Sequence, residues 1–234
     1  MKLRILTLRG LIVSITMLLS TSHAFSQDSF DLSGWYAGAF GAYLSGELTS
    51  DDPSHFESTG DFNDDGPMAG IFGGYNHTFD NDWLAGGELI LPLYMQKGTA
   101  VDKVWFPDTV TYEASYNFGI FISGKWGRSL GKSLPYAYGA IGITSVNGST
   151  YNVDLEENYS PGFVQESTAT HFVWQIGVGF DYLIIEKLIL SGRVGAFIGS
   201  KADHTVPWNE PGPNMFGYKS VIFQLNVAYK FKSK

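Results

Sequence analysis

The chain has 234 residues, with 23 acidic against 15 basic side chains, a formal net charge of −8 and no cysteine. Charge of that sign repels phosphate, which argues against nucleic acid as a partner. The lack of cysteine excludes both a disulfide scaffold and a lipid-anchoring thiol.

Residues 1–26 have three parts: a basic start with Lys2, Arg4 and Arg9, an apolar stretch from Leu11 to Leu19, and a small-residue exit at Ala24-Phe25-Ser26. This is the layout of a secretory signal peptide. The apolar stretch is less than half of the roughly 20 residues that a membrane-crossing helix needs. Cleavage is expected before Gln27, with cleavage before Phe25 as the alternative. The leader carries three basic residues and no acidic one, so the mature chain has 12 basic against 23 acidic residues, a net charge of −11. A short tail, residues 27–33, precedes a single domain over 34–234. No later stretch can cross a bilayer as a helix, because the best apolar run, Tyr182 to Leu190, is broken by Glu186 and Lys187.

The mature sequence alternates apolar and other residues with period two, the signal of half-buried strands. Eight segments are predicted: about 34–45, 68–79, 83–96, 111–126, 135–146, 170–182, 188–200 and 218–231. The first turn-like link, Asp80-Asn81-Asp82, is tight, as are those at 127–134 and at Glu186-Lys187. The other connections are long: an acidic one after the first strand, one through Trp105-Phe106-Pro107, one with Glu156-Glu157 and Pro161-Gly162, and a Pro-rich one over 201–217. Strict alternation of short and long connections is the pattern of an antiparallel up-and-down barrel that spans a membrane. The fold class expected is therefore all-β, an eight-stranded antiparallel transmembrane barrel.

Each strand has one apolar face. In the fourth, Tyr116, Phe118, Ile120 and Ile122 share a face opposite Ser115, Asn117, Ser123 and Lys125. In the last, Val221, Phe223, Leu225, Val227, Tyr229 and Phe231 oppose Ser220, Gln224, Asn226 and Lys230. A soluble barrel would turn the apolar face inward and a lipid-facing one turns it outward. Trp35, Phe79, Trp83, Trp126, Tyr136 and Tyr229 fall near the short-turn ends, where a membrane barrel carries an aromatic girdle. On this reading an Arg at Ile120 faces lipid and an Arg at Asn117 faces the interior.

Charges on the inner face make a candidate cluster. Glu88, Lys125 and Arg193 each oppose the apolar row of their strand and all fall in the half near the short turns. They are expected to form an interior charge cluster that blocks wide conduction.

The sequence resembles the OmpA-like and OmpX-like small outer-membrane barrels and is most similar to Gram-negative surface antigens of the porin-like barrel family. The residues that carry the likeness are Gly34-Trp35-Tyr36-Ala37-Gly38 with Gly41 and Tyr43, then Gly87-Glu88, Gly124-Lys125-Trp126-Gly127, Leu134-Pro135-Tyr136, Gly177-Val178-Gly179-Phe180-Asp181-Tyr182 and Asn226-Val227-Ala228-Tyr229-Lys230-Phe231. The resemblance implies an outer-membrane location, with contacts to outer-membrane lipid and lipopolysaccharide. It also implies recognition of the terminal strand, through Gln224, Asn226, Tyr229 and Phe231, by the barrel-assembly machinery. Two departures stand out: Lys232-Ser233-Lys234 follow the last aromatic residue, and Lys125 stands where the family often has arginine.

No catalytic, cofactor or metal site is predicted. A His-x-Ser pair such as lipid A deacylases resemble is absent at His171-Phe172-Val173 and His204-Thr205-Val206, and Asp203-His204 is only loosely similar to the acid-base pair of outer-membrane proteases. The histidines are read as solvated or interfacial; His55 and His204 could bind haem or metal but show no ligand spacing. Asp61-Phe62-Asn63-Asp64-Asp65-Gly66 matches the first half of a calcium loop, but its twelfth position is Phe72 rather than Glu, which favours an ordinary acidic loop. The expected function is non-enzymatic: a structural, surface-exposed envelope barrel. A porin or narrow channel is the alternative, and an adhesin or ligand-binding surface protein a further one, its loop partner unknown.

Overall fold

The computed structural model describes residues 31–51, 61–63, 65–95, 97–105, 108–153, 164–204 and 215–231. The leader, most of the tail, His55 and Asp64 lie outside them. Eight long strands form the wall: β1 (Gly34–Asp51), β3 (Gly66–Thr78), β4 (Trp83–Met95), β6 (Asp108–Arg128), β7 (Ser133–Val153), β8 (Val164–Ile185), β9 (Leu188–Asp203) and β10 (Met215–Lys230). Two further pieces, β2 (Asp61–Asn63) and β5 (Lys97–Trp105), pair with the outer ends of β1 and β6. Each wall strand pairs antiparallel with the next, and β10 returns to β1 from Tyr36↔Lys230 to Asp51↔Met215, which closes the barrel.

Short turns gather at one end. Between β3 and β4, Phe79 N–H donates to Trp83 O and Asp82 N–H to Phe79 O, with Asp82 at φ 65°. That left-handed conformation is one that aspartate tolerates better than most residues. Gly131, at φ 65° between β6 and β7, occupies the same region at no steric cost. The strands run well past the eight predicted segments at the opposite end: β6 and β7 have 21 residues each and β8 has 22. A spanning strand needs only about 9 to 11.

The apolar faces point outward. Ile122, Ile176 and Leu225 are 66 %, 60 % and 69 % exposed, and the alternate residues Ser123, Gln175 and Gln224 are buried inside. Trp35, Phe79, Trp83, Trp126, Tyr182 and Tyr229 ring the short-turn end, with Trp83 stacked on Trp126 at 5.5 Å and Phe79 tilted against it at 5.6 Å. A second ring contains Tyr43, Tyr94, Phe118, Phe172 and Trp174. Between the rings a strand advances about eight to ten residues, which at ~3.3 Å per residue and ~40° of tilt spans about 20–25 Å of hydrocarbon.

Two expectations about faces need correction. Tyr136 is not in the girdle: its ring is buried in the lumen. In β6 the register to β7 jumps from Tyr116↔Val146 to Phe118↔Ser145, so Asn117 is an extra, bulged residue. One inserted residue reverses the alternation. Tyr116 therefore points inward and Asn117 outward, opposite to the simple period-two assignment. An Arg at Ile120 against one at Asn117 consequently compares depth along the wall, not inner with outer face.

The interior is filled in tiers. Leu32, Leu84, Leu134, Leu183 and Ile189 form an apolar floor at the short-turn end. Leu32 is held there because Asn76 Nδ2 donates to its carbonyl at 3.2 Å, while Thr78 N–H donates to Ser33 Oγ at 3.0 Å. Above the floor lies a tier of charges, and above that Phe121, Phe197, Tyr218 and Ile222. The large rings fit because inward glycines face them. A Cβ at Gly179 would collide with the Tyr136 ring, and one at Gly199 with the Tyr218 ring.

A closed hydrogen-bonded sheet with a lipid-facing exterior is expected to be heat-modifiable. The folded protein should run as a compact band on a detergent gel until boiled; a single mobility with and without boiling would contradict closure. Depth is testable too. Ile122→Arg, in mid-belt, should cost about 2–4 kcal/mol, and Tyr43→Arg, at the outer ring, about 0–1 kcal/mol. Folding yields in lipid vesicles should differ accordingly, and equal yields would mean the belt is misplaced.

Candidate functional site: the interior charge tier

Six neighbouring or facing strands contribute to the charged tier. Glu88 comes from β4, Lys125 from β6, Asp181 from β8 and Arg193 from β9, joined by Tyr36 of β1 and Tyr136 of β7. Local alternation explains each inward direction: Leu89, Trp126, Tyr182 and Phe180, the sequence neighbours of three of these charges, are exposed to the outside.

Glu88 Oε1 is the hub. It accepts from Arg193 Nη2 at 2.5 Å and from Tyr36 Oη at 2.7 Å, and Lys125 Nζ lies 3.4 Å away. Lys125 Nζ donates to Asp181 Oδ2 at 2.9 Å, and Arg193 Nε donates to Tyr136 Oη at 2.8 Å. The cations also rest on aromatic faces: Lys125 Nζ is 4.8 Å from the centre of the Tyr36 ring, and the Arg193 guanidinium 5.4 Å from that of Tyr138. Such contacts contribute attraction without adding charge.

Two carboxylates and two cations make the tier neutral. In the ring of eight strands β4 and β9 stand diametrically opposite, so the Glu88–Arg193 pair crosses the full width of the lumen. The charged side chains are 1–2 % exposed, with the apolar floor on one side and the aromatic tier on the other. Chemically this is a crosslink that ties opposite walls together.

Glu88, Lys125 and Arg193, singled out from the sequence, thus meet at one level. Sequence reasoning missed Asp181, Tyr36 and Tyr136. A signal for Asp181 existed: it lies between the lipid-facing Phe180 and Tyr182, and a cluster of two cations and one acid needed a second acid for balance.

The residues of the terminal strand divide by face. Gln224 and Asn226 point inward, with Gln224 Nε2 donating to Asn226 Oδ1 at 2.6 Å. Tyr229 and Phe231 point outward with ring centres 5.5 Å apart, and Phe231 N–H donates to Trp35 O across the seam. Of the other motifs, Asp65 Oδ1 caps the Gly46 N–H at 2.9 Å, and Phe72, at the calcium loop's twelfth position, is buried in the lumen. His77 is exposed beside Phe79. His171 and His204 are not solvated, as the sequence suggested; both are buried, and they face each other at the outer mouth.

No curated protein matches the sequence. Among solved structures the chain is similar to Neisserial surface protein A (15 % identity, 85 % of this chain and 98 % of that one, TM-score 0.42). It is also similar to a major outer membrane protein from Thermus thermophilus (12 %, 84 % and 99 %, TM-score 0.47) and to the E. coli outer membrane protein W (17 %, 83 % and 98 %, TM-score 0.38). The family model described as outer membrane protein beta-barrel domain matches residues 12–231. With its closed antiparallel wall and lipid-facing belt, the chain belongs to the outer membrane protein beta-barrel family and resides in the outer membrane.

Proposed function

We propose that this protein is a non-enzymatic, non-conducting barrel that anchors in the outer membrane and presents its outer strand extensions at the cell surface. The observation that carries the reading is the Glu88–Arg193 bridge across the lumen, reinforced by Lys125 and Asp181 and enclosed by apolar tiers. An eight-stranded barrel has an interior just wide enough for side chains to fill, so a crosslink on the diameter leaves no wide path.

Surface display is supported by the length of the wall beyond the outer ring. From Phe118 β6 continues ten residues to Asp108, and from Phe172 β8 continues eight to Val164, so paired sheet extends outside the hydrocarbon. The partners proposed are outer-membrane lipid and lipopolysaccharide around the belt. During biogenesis the barrel-assembly machinery would read Gln224, Asn226, Tyr229 and Phe231 on the terminal strand.

Conductance in planar bilayers tests the closed interior. The wild type should show no steady current, and Glu88→Ala should raise conductance or destabilise the barrel. A large steady conductance, unchanged by Glu88→Ala, would establish a porin instead. The stability ranking is a separate test: Glu88→Ala strands Arg193 and should cost about 3–5 kcal/mol. Asp181→Ala should cost less, because Lys125 keeps Glu88 as a partner. Urea unfolding in lipid vesicles gives the order, and the reverse ranking would remove Glu88 as hub.

A further inference from the structure

The chain enters the wall through a bend. Gly34, the first residue of β1, has φ 115°, a conformation that L side chains rarely adopt. If β1 ran straight on toward its N-terminus, the register Gly34↔Asn76 would continue and place Leu32 opposite Thr78. The contacts are different. Thr78 N–H donates to Ser33 Oγ at 3.0 Å, and the Leu32 carbonyl accepts at 3.2 Å from the side chain of Asn76, the residue paired with Gly34. Residues 31–33 have therefore left the ladder, and Leu32 is 1 % exposed inside the barrel.

The bend is fastened on both flanks of β1. Asn76 and Thr78 hold it on the β3 side, and on the β10 side Lys230 Nζ donates to the Asp31 carbonyl. Within it, Asp31 Oδ1 accepts from Ser33 N–H at 2.7 Å. Gly86 makes room for the Asn76 clamp: a Cβ there would stand 2.5 Å from Asn76 Oδ1 and 2.9 Å from Lys125 Cε. The clamp thus lies beside the stem of one of the cations of the charged tier.

The rest of the floor shows what Leu32 contributes. Leu84, Leu134, Leu183 and Ile189 come from β4, β7, β8 and β9. The contiguous arc of β10, β1 and β3 contributes Ala228 and Asn76, a small group and a polar one. Leu32 supplies the apolar bulk that this arc lacks. Water kept out by such bulk cannot screen the ions above, whose attraction strengthens as the local dielectric falls.

We propose that residues 31–33 are a strap, hinged at Gly34, whose Leu32 stopper seals the periplasmic mouth of the lumen separately from the charged tier. Its anchors are hydrogen bonds through the side chains of Asn76, Ser33 and Lys230, and none of them is a rung of the ladder. The strap can therefore be released while the β1–β3 and β1–β10 pairings persist. This goes beyond the closed interior argued above, because it assigns a second barrier to a different segment.

The chain has no cysteine, so one introduced thiol reports on the seal without background. The test uses the full mature chain carrying Leu84→Cys in the floor, folded in lipid vesicles and treated with a charged, membrane-impermeant methanethiosulfonate. With the strap intact, the thiol should label slowly. Adding Leu32→Gly, which removes the stopper, or Gly34→Val, which misdirects the hinge, should speed labelling at least about tenfold, as expected when a local closure is lost. The heat-modifiable band should remain. If one of the two variants fails to fold, the other decides. Equal labelling rates with and without the strap substitutions would overturn the seal. So would loss of the compact band in both variants, which would make the strap part of the wall. Conductance keeps the two barriers apart: Leu32→Gly should pass no steady current while the tier is intact. A current in that variant would remove the tier as a barrier and leave the stopper as the one that closes the lumen.

Discussion

Closure of the sheet is the constraint on which everything else rests. In hydrocarbon an unpaired backbone N–H or C=O has no water to turn to, so β10 must find β1 and the number of strands fixes the width of the lumen. Sixteen residue pairs form that seam, from Tyr36↔Lys230 to Asp51↔Met215. Once the width is fixed, inward side chains have to fill a narrow column. This is why Tyr136 and Tyr218 lie over Gly179 and Gly199, and why one inserted residue, Asn117, turns Tyr116 into the lumen.

The charged tier is costly in that setting. Removing four ions from water costs several kcal/mol for each, and a well-packed apolar replacement is often as stable. What the ions supply is discrimination between registers. A one-residue slip of any of the four strands would turn a Glu, Lys, Asp or Arg toward lipid and a Leu or Phe toward the lumen. The cost of the wrong pairing, about 2–4 kcal/mol for a lipid-facing Lys or Arg, exceeds the small difference that separates alternative hydrogen-bond ladders. The tier thus fixes alignment across the barrel, including between β4 and β9, which share no ladder.

Much of this was legible because a lipid-facing strand writes its orientation into every second residue. The alternation identified eight wall strands, the outward row of β10, the outward Phe118, Ile120 and Ile122 of β6, and the inward direction of Glu88, Lys125 and Arg193. It could not reveal Asn117 as a bulge, since an extra residue leaves composition unchanged and appears only in pairing with β7. Tyr136 misled for a related reason: an aromatic near a turn fits the girdle or the lumen, and only its parity relative to Leu134 and Tyr138 decides. The meeting of His171 with His204 was not read from the sequence: β8 and β9 form a hairpin across the short Glu186-Lys187 turn, but their pairing ends at Val173↔Gly199, short of both histidines, so the alternation does not fix which way His204 points.

Charge is distributed along the axis with a physical consequence. The interior holds two acids and two bases, and the short-turn end mixes Asp80, Asp82 and Glu186 with Arg128, Lys132 and Lys187. The chain's net charge of −8 therefore has its source in neither of these regions, and acidic residues such as Asp51 and Asp61 stand at the outer strand ends. Acidic charge at that end disfavours anions there, while the carboxylates of the tier below are already paired with Lys125 and Arg193. On the proposed closed reading, opening the tier alone would give a pathway that favours cations over anions.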